Sequence, residues 1–559
     1  MTEPLPPSSD LMTGRRAQMF PVLSAAQLAR ITGYGEIREV AAGERLFDQG
    51  QADVPMLVVL EGELEIVHPS VDGERLITVQ GPGEFTGEIH MIAGRRSLVR
   101  GRARTPARVV QVARARLRSL VQTDAELGEL MLRAFILRRM GLIAHGEGDV
   151  VLVGSKHSAG TLRVQEFLTR NAHPYTYVDA DTDAKIQELL DGFHVGSGDI
   201  PVLICRGTTV LKNPSNSEVA ECLGFNAVLD EQAIRQVVVV GAGPAGLAAA
   251  VYAASEGLDV LVLEANVPGG QAGSSSKIEN YLGFPTGISG GALAARALTQ
   301  AEKFGAELAV ATGVLELGCE RRPYELAVAD GRRVHARTIV IATGAEYRRP
   351  ALAELARFEG LGVYYGATNI EARMCGSDEV VIVGGGNSAG QAAVFLSQTA
   401  AHVYILVRGQ GLAETMSRYL IRRIEDTPNI TLHAHSEIVA VAGDTRLEHV
   451  TWQNTVTGER TAHPLRHIFL MIGAMPNTGW LAGCLALDAK GFIQTGGELT
   501  PETLAAFGWP LARNPMPLET SLPGVFAVGD VRAASVKRVA AAVGEGSACI
   551  QLVYRVLAD

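Results

Sequence analysis

An α/β fold class is predicted for this chain of 559 residues, with a β-rich unit in front. Three observations carry the prediction. Two stretches, near residues 237–264 and 380–408, each run from an apolar strand through a glycine turn into a small-residue helix and a second strand. Ahead of both, residues 20 to about 145 alternate apolar and polar positions, with glycines at the breaks.

The first stretch is complete. Val237-Val-Val-Val240 is apolar on both faces, as a buried parallel strand is. Gly241-Ala-Gly243-Pro244-Ala245-Gly246 makes the turn. Gly241 permits the tight turn, Gly243 lets the backbone approach a pyrophosphate, and Gly246 lets helix and strand pack closely. The helix that follows points its free N–H groups at the phosphates. The second strand, Val260 to Leu263, ends in Glu264, whose carboxylate can accept hydrogen bonds from a ribose. Val237 to Ala254 is 18 residues without a charge, a transmembrane length. The early glycines and the proline sit where a nucleotide turn needs them, so no membrane span is expected.

The second stretch repeats the pattern. Val380-Val-Ile-Val383 runs into Gly384-Gly-Gly386-Asn387-Ser388-Ala389-Gly390, then a helix, then Val403 to Val407. This strand ends in Arg408 rather than an acid, which suits the 2′-phosphate of NADP, with Arg418 or Arg422 as a second contact. Two such Rossmann-like units predict two dinucleotides: FAD on the first, NADPH on the second. Ile339-Val-Ile-Ala-Thr343-Gly344 reads as a strand returning to the first unit. Ser521 to Gly529-Asp530 puts an acid just after a buried strand, in reach of a ribityl chain. Pro268-Gly-Gly-Gln271 and Ile278-Glu-Asn280-Tyr have the character of a loop beside a flavin.

With these pieces in place, residues 235 to 559 resemble the low-molecular-weight thioredoxin reductases. The matching motifs are GAGPAG, PGGQ, IENYLGFP, ATGA, VGGGNSAG, IGAMPNT, GVFAVGD and Arg538-Val539-Ala540 before the last helix. The resemblance implies an FAD-binding domain at 235–350 and 477–559, interrupted by an NADPH-binding domain at 351–476. It implies hydride transfer from nicotinamide to flavin, and a homodimer. One departure stands out. Those reductases carry a CxxC shortly before the second glycine motif, where this chain has Ala367-Thr-Asn-Ile370. The six cysteines are Cys205, Cys222, Cys319, Cys375, Cys484 and Cys549, and no two are spaced as CxxC. Cys375 is the nearest to the expected position and is the one candidate catalytic thiol. Cys549, on the expected last helix, reads as structural.

The front half divides in two. Residues 1–19 are expected to be a disordered tail. Residues 20–147 form a β-barrel plus helix, with turns at Gly43, Gly62, Gly73 and Gly83. The segment resembles the cyclic-nucleotide-binding domain of the catabolite activator protein, through Gly83-Glu-Phe-Thr-Gly87-Glu88-Ile and Arg95-Arg96-Ser97. The resemblance implies that Glu88 takes a ribose hydroxyl and Arg96 a cyclic phosphate, beside Gly87 and Ser97. A guanidinium fork matches phosphate oxygens. The alternative is a barrel kept for dimer contacts through the apolar helix Leu127 to Leu142. Residues 148–230 read β-α-β-α-β-β-α and resemble a glutaredoxin or thioredoxin fold, with Pro201 as its cis-proline. The family's CxxC falls at Ser158-Ala-Gly-Thr161, so dithiol exchange is ruled out and a docking role is expected.

Composition narrows the classes. Hydrophobic content of 47% supports full cores, and a net charge of −10 argues against nonspecific nucleic-acid binding. The polar, proline-rich start is not a secretory signal, and few, unpatterned cysteines fit a reducing cytoplasm. The function expected is an NADPH-dependent FAD oxidoreductase that passes electrons to a protein or small-molecule acceptor without the usual CxxC. Two alternatives stay open: a thioredoxin-disulfide reductase using Cys375 or a partner's cysteines, and a non-enzymatic redox or cyclic-nucleotide sensor.

Overall fold

The computed structural model describes residues 16–70, 73–144, 150–155, 158–180, 199–206, 209–226, 229–275, 277–352, 354–359, 361–367, 369–481 and 483–558. At the front, two antiparallel sheets face each other. One is ordered Glu36–Val40, Ala107–Val112, Met56–Glu61, and the other Arg45–Phe47, Arg100–Ala103, Leu64–Ser70, Gly73–Gln80. The turn glycines 43, 62, 73 and 83 all have positive φ, which is why only glycine serves there. Helix Ala125–Ala144 closes the barrel, with Phe135 edge-on to Phe85 in the shared core. Arg16–Met19 is a helical turn with Met19 buried, because its carbonyl accepts from Nε of the buried Arg138. Residues 16–19, expected to belong to a disordered tail, are thus helical.

The middle unit has a four-stranded sheet, ordered Thr209–Lys212, Val202–Cys205, Val150–Gly154, Thr176–Asp179. The last two are parallel and the first pair antiparallel. Helices Ala159–Arg170 and Asn216–Leu223 flank it, and Ile200–Pro201 is cis, as expected for a thioredoxin-like unit. The second helix expected here falls on residues 181–198, outside the described residues. Cys205 is fully buried.

The third unit is built on the first glycine motif. Its sheet runs Glu307–Ala309, Val260–Leu263, Ile234–Val240, Arg333–Ile341, then continues antiparallel through Tyr324–Val328 and Val314–Gly318. Val525–Ala527 joins Arg333–Ile341 in parallel, so both ends of the C-terminal half meet one sheet. Helix Pro244–Ser255 is alanine-rich on every side and buried, which lets the closing helix Val539–Ala558 approach until a Cβ on Gly546 would lie 2.2 Å from the Ala245 carbonyl oxygen. The fourth unit is an all-parallel sheet, Val363–Tyr364, Ile468–Leu470, Glu379–Val383, His402–Leu406, Ile430–His433, with a three-stranded antiparallel flap. The chain enters and leaves this unit through paired strands Ala345–Tyr347 and Ala474–Pro476.

One covalent link was invisible in the spacing. Cys319 and Cys484 form a disulfide, with Cα atoms 5.7 Å apart and a sequence separation of 165. It joins the Val314–Gly318 strand end to the segment just past the returning strand, and so encloses the whole fourth unit. Two of the six cysteines are thus paired with each other. No helix among the described residues is long and apolar enough to cross a membrane.

Candidate dinucleotide and effector sites

The first glycine turn has the geometry its residues imply. Gly241 stands at φ +104°, and a Cβ there would meet the Ala342 carbonyl oxygen at 2.4 Å. A Cβ on Gly246 would meet the Gly241 carbonyl oxygen at 1.8 Å, so strand and helix touch backbone to backbone. Gly243 is different. It is the N-cap of helix Pro244–Ser255, makes no side-chain cap, and a Cβ there would find no protein atom nearer than 3.9 Å. The free N–H groups of Pro244–Ser255, with buried Ala245 and open space before them, fit a pyrophosphate. Glu264 is buried beside this turn, and its carboxylate accepts from the backbone N–H of Ala242 at 2.7 Å and of Asn266 at 2.8 Å. Burial pushes its pKa up, against the pull of those N–H groups and of Arg170.

The other residues expected around FAD gather from four segments. The amide of Gln271 donates to the Ala345 carbonyl at the entry to the linking strands. Thr343 Oγ1 donates to the Asn477 carbonyl at 3.0 Å, and Asn477 N–H to the Gly344 carbonyl at 3.3 Å, tying the two crossings together. Gly529 has φ +73° and donates its N–H to Glu545 at 2.7 Å. Asp530 is half-buried, and burial raises its pKa while Lys537 opposes the shift. Arg538 precedes the closing helix, which starts at Val539-Ala540. Asn280 is exposed. Sequence reasoning missed Glu545. It pairs with Arg532 at 2.7 Å and holds the Gly529 turn, but it lies sixteen residues downstream on a helix with no motif around it.

The second turn repeats the cradle. Gly384 has φ +139° and packs so that a Cβ would lie 2.2 Å from the Met471 carbonyl oxygen. Gly386 caps helix Asn387–Leu396 without a side-chain bond, and a Cβ there would meet nothing within 4 Å. Asn387 turns its Oδ1 to the Ser417 N–H at 2.7 Å, Ser388 is exposed, and Ala389 is buried under the helix. Arg408, Arg418 and Arg422 are all exposed. The residues aligned with a CxxC begin at Ala367, which is buried; next to it, a Cβ on Gly366 would lie 3.7 Å from Ser274 Oγ of the flavin-side loop. Thr368 lies outside the described residues. Cys375 is buried, and burial pushes its thiol up to about 12, so it holds its proton at neutral pH and is a poor nucleophile. Cys549 is fully buried and shifted the same way.

In the barrel, Gly87 has φ +117°, and its carbonyl accepts from Arg138 Nη1 at 2.9 Å. Burial pushes Arg138 down to about 9. Glu88 lies 3.7 Å from Arg139. Ser97 Oγ donates to the Val99 carbonyl at 2.8 Å. Arg96 makes no hydrogen bond or ion pair among the described residues and lies against Gly224 of the middle unit. Its neighbour Arg95 is buried, pairs with Glu302 of helix Gly290–Phe304 at 3.1 Å, and covers the Phe225 ring at 5.2 Å. The effector loop therefore touches both units behind it, which no local pattern announced.

These features agree with the comparisons. A family model described as Pyridine nucleotide-disulphide oxidoreductase matches residues 235–546, and one described as Cyclic nucleotide-binding domain matches residues 37–124. A thioredoxin reductase of Listeria innocua is 32% identical over 317 residues, covering 56% of this chain and 92% of that protein. NADPH-dependent thioredoxin reductase 3 of Arabidopsis thaliana is 34% identical over 320 residues, covering 56% of each chain. The crystal structure of Lactococcus lactis thioredoxin reductase in its FR conformation superposes with a TM-score of 0.52 at 28% identity, covering 58% of this chain and 99% of that one. The chain belongs to the pyridine nucleotide-disulphide oxidoreductase family and is an NADPH-dependent oxidoreductase that uses FAD.

Proposed function

We propose that the chain passes electrons from NADPH through FAD directly to an acceptor outside itself, a protein or a small molecule. When bound, FAD accepts a hydride from NADPH and passes electrons onward. The chain's own residues bind and orient. Gly241, Gly243, Gly246 and Glu264 would hold the adenosine half of FAD, Gly529, Asp530 and Arg538 to Ala540 its remainder, and Gly384, Gly386 and Arg408 NADPH. The observation that carries the reading is the segment beginning at Ala367. Gly366, just before it, comes close to Ser274 of the flavin-side loop, and residues 367–370, which align with the relatives' CxxC, hold no cysteine. The Cys319–Cys484 disulfide is on the far antiparallel edge of the sheet, beside the Leu317 carbonyl rather than at the glycine turns.

An anaerobic NADPH titration followed by flavin absorbance tests this. Uptake of about two electrons per flavin supports direct delivery. Uptake of about four, falling to two in Cys484→Ser, overturns it and assigns the second centre to Cys319–Cys484. A second reading has an observation behind it. The relatives named above are thioredoxin reductases, so a disulfide protein of that type, bringing its own cysteines, is the first acceptor to test. The barrel's unpaired Arg96 supports a cyclic-nucleotide effector, tested by calorimetry.

A further inference from the structure

The loop Pro268 to Gly273 is a weak piece of chain. Glycine occupies 269, 270 and 273, with φ of +102° at Gly269 and +51° at Gly270, and glycine loses more backbone freedom on ordering than any other residue. Yet it packs tightly on the first glycine turn. Gly269 N–H donates to the Ala242 carbonyl at 2.7 Å, and a Cβ on Gly270 would lie 3.0 Å from Gly243 Cα. Something outside the loop must hold it, and its carbonyls need partners.

That partner comes from the middle unit. Arg170 ends helix Ala159–Arg170, about one hundred residues upstream. Its Nη2 donates to the Pro268 carbonyl at 3.1 Å and to the Gly270 carbonyl at 2.7 Å. Nη1 pairs with Glu166 one turn back at 3.0 Å, which aims the guanidinium. The guanidinium also lies over the loop, so that a Cβ on Gly273 would meet Nη2 at 2.8 Å. Side-chain exposure of Arg170 is 15%, and its Nε is buried without a partner among the described residues. The unit is anchored separately by Asn226, whose amide exchanges two 2.8 Å bonds with the Val310 backbone.

We propose that Arg170 is a positioning residue of the flavin site, through which the middle unit, which has no CxxC, holds the Pro268–Gln271 loop against the Gly241–Gly246 turn. The unit is thereby a wall of the flavin site rather than a carrier of electrons. The proposal rests on the reading of this turn as the FAD site, and the test separates the two. Full-length protein stripped of FAD is titrated with FAD, following flavin fluorescence. Gly243→Ala, whose Cβ comes no nearer to protein than 3.9 Å, at Gly270 Cα, but would meet a pyrophosphate, weakens binding if the site is right. Arg170→Met keeps the apolar stem and removes the donors; it should weaken FAD binding roughly tenfold or more, while the apo-protein melts at an unchanged temperature. Arg170→Lys, which can still donate to both carbonyls, should recover most of the affinity, and Asn226→Ala should stay within twofold of wild type. An Arg170→Met affinity within twofold of wild type, with Gly243→Ala impaired, overturns the proposal. So does an equal loss in Asn226→Ala, which would make docking in general the cause. Should Arg170→Met fail to fold, Gly273→Ala, which displaces Nη2 from the other side, decides by the same thresholds.

Discussion

Removing the Cys319–Cys484 bridge should cost more stability than any single core truncation in this chain. The bridge closes a loop of 165 residues. The chain-entropy relation then gives the open denatured chain roughly 17 cal/mol/K more entropy, or about 5 kcal/mol at 25 °C. The enclosed segment holds the whole fourth unit, so the unfolded ensemble gains most where the chain is longest. Both cysteines lie in the third unit, so their loss does not touch either glycine cradle. The assay is urea unfolding of wild type and Cys319→Ser/Cys484→Ser, each with and without reductant, followed by tryptophan fluorescence. Trp480 lies four residues before Cys484 and packs on the same core, so it reports the right unit. Wild type should fall to the level of the double variant on reduction, and the double variant should not respond. A thiol count supplies the independent check: four free thiols in denatured, unreduced protein, and six after reduction. Six thiols without reductant, or identical midpoints in all four samples, would refute the reasoning.

Three further outcomes are expected. Arg408→Ala should raise the KM for NADPH about tenfold and leave NADH nearly unchanged, since only NADPH offers a 2′-phosphate; steady-state kinetics with both cofactors checks it, and equal effects would remove Arg408 from the site. Arg96→Ala should weaken cyclic-nucleotide binding by at least tenfold in calorimetry without altering FAD content. Arg95→Leu should strand Glu302 as a buried carboxylate and cost about 3 kcal/mol, largely restored in Arg95→Leu/Glu302→Leu. The pH dependence follows from the sign of the shift. Burial already raises the Glu302 pKa in the folded state, and losing Arg95 raises it further, so the folded form holds the proton that the unfolded form releases. The variant's stability should therefore be nearest to wild type at acid pH and fall as pH rises from the ordinary glutamate pKa toward the folded one, which denaturant midpoints at several pH values would show.

Both glycine turns, their strands and the acid or arginine at each strand end could be read in advance. So could the barrel's turn glycines and the cis peptide at Pro201. Each is a local matter: a positive φ, a helix N-terminus or an alternating strand is written in a few neighbouring residues. Asn280, expected near the flavin, is exposed. Cys375 drew notice only for its nearness to a missing motif; that it is buried, with its thiol shifted up, is decided by the packing around it.

What the sequence alone determined is thus the set of parts and the chemistry each can bind. The tertiary structure decided how the parts complete one another. Cys319 meets Cys484 across 165 residues, Arg170 reaches the Pro268 and Gly270 carbonyls, and Arg95 finds Glu302 across 207. None of these pairs has a period or a spacing to announce it. Each exists because separate hydrophobic cores, once packed, bring distant polar groups together and leave them no water to turn to.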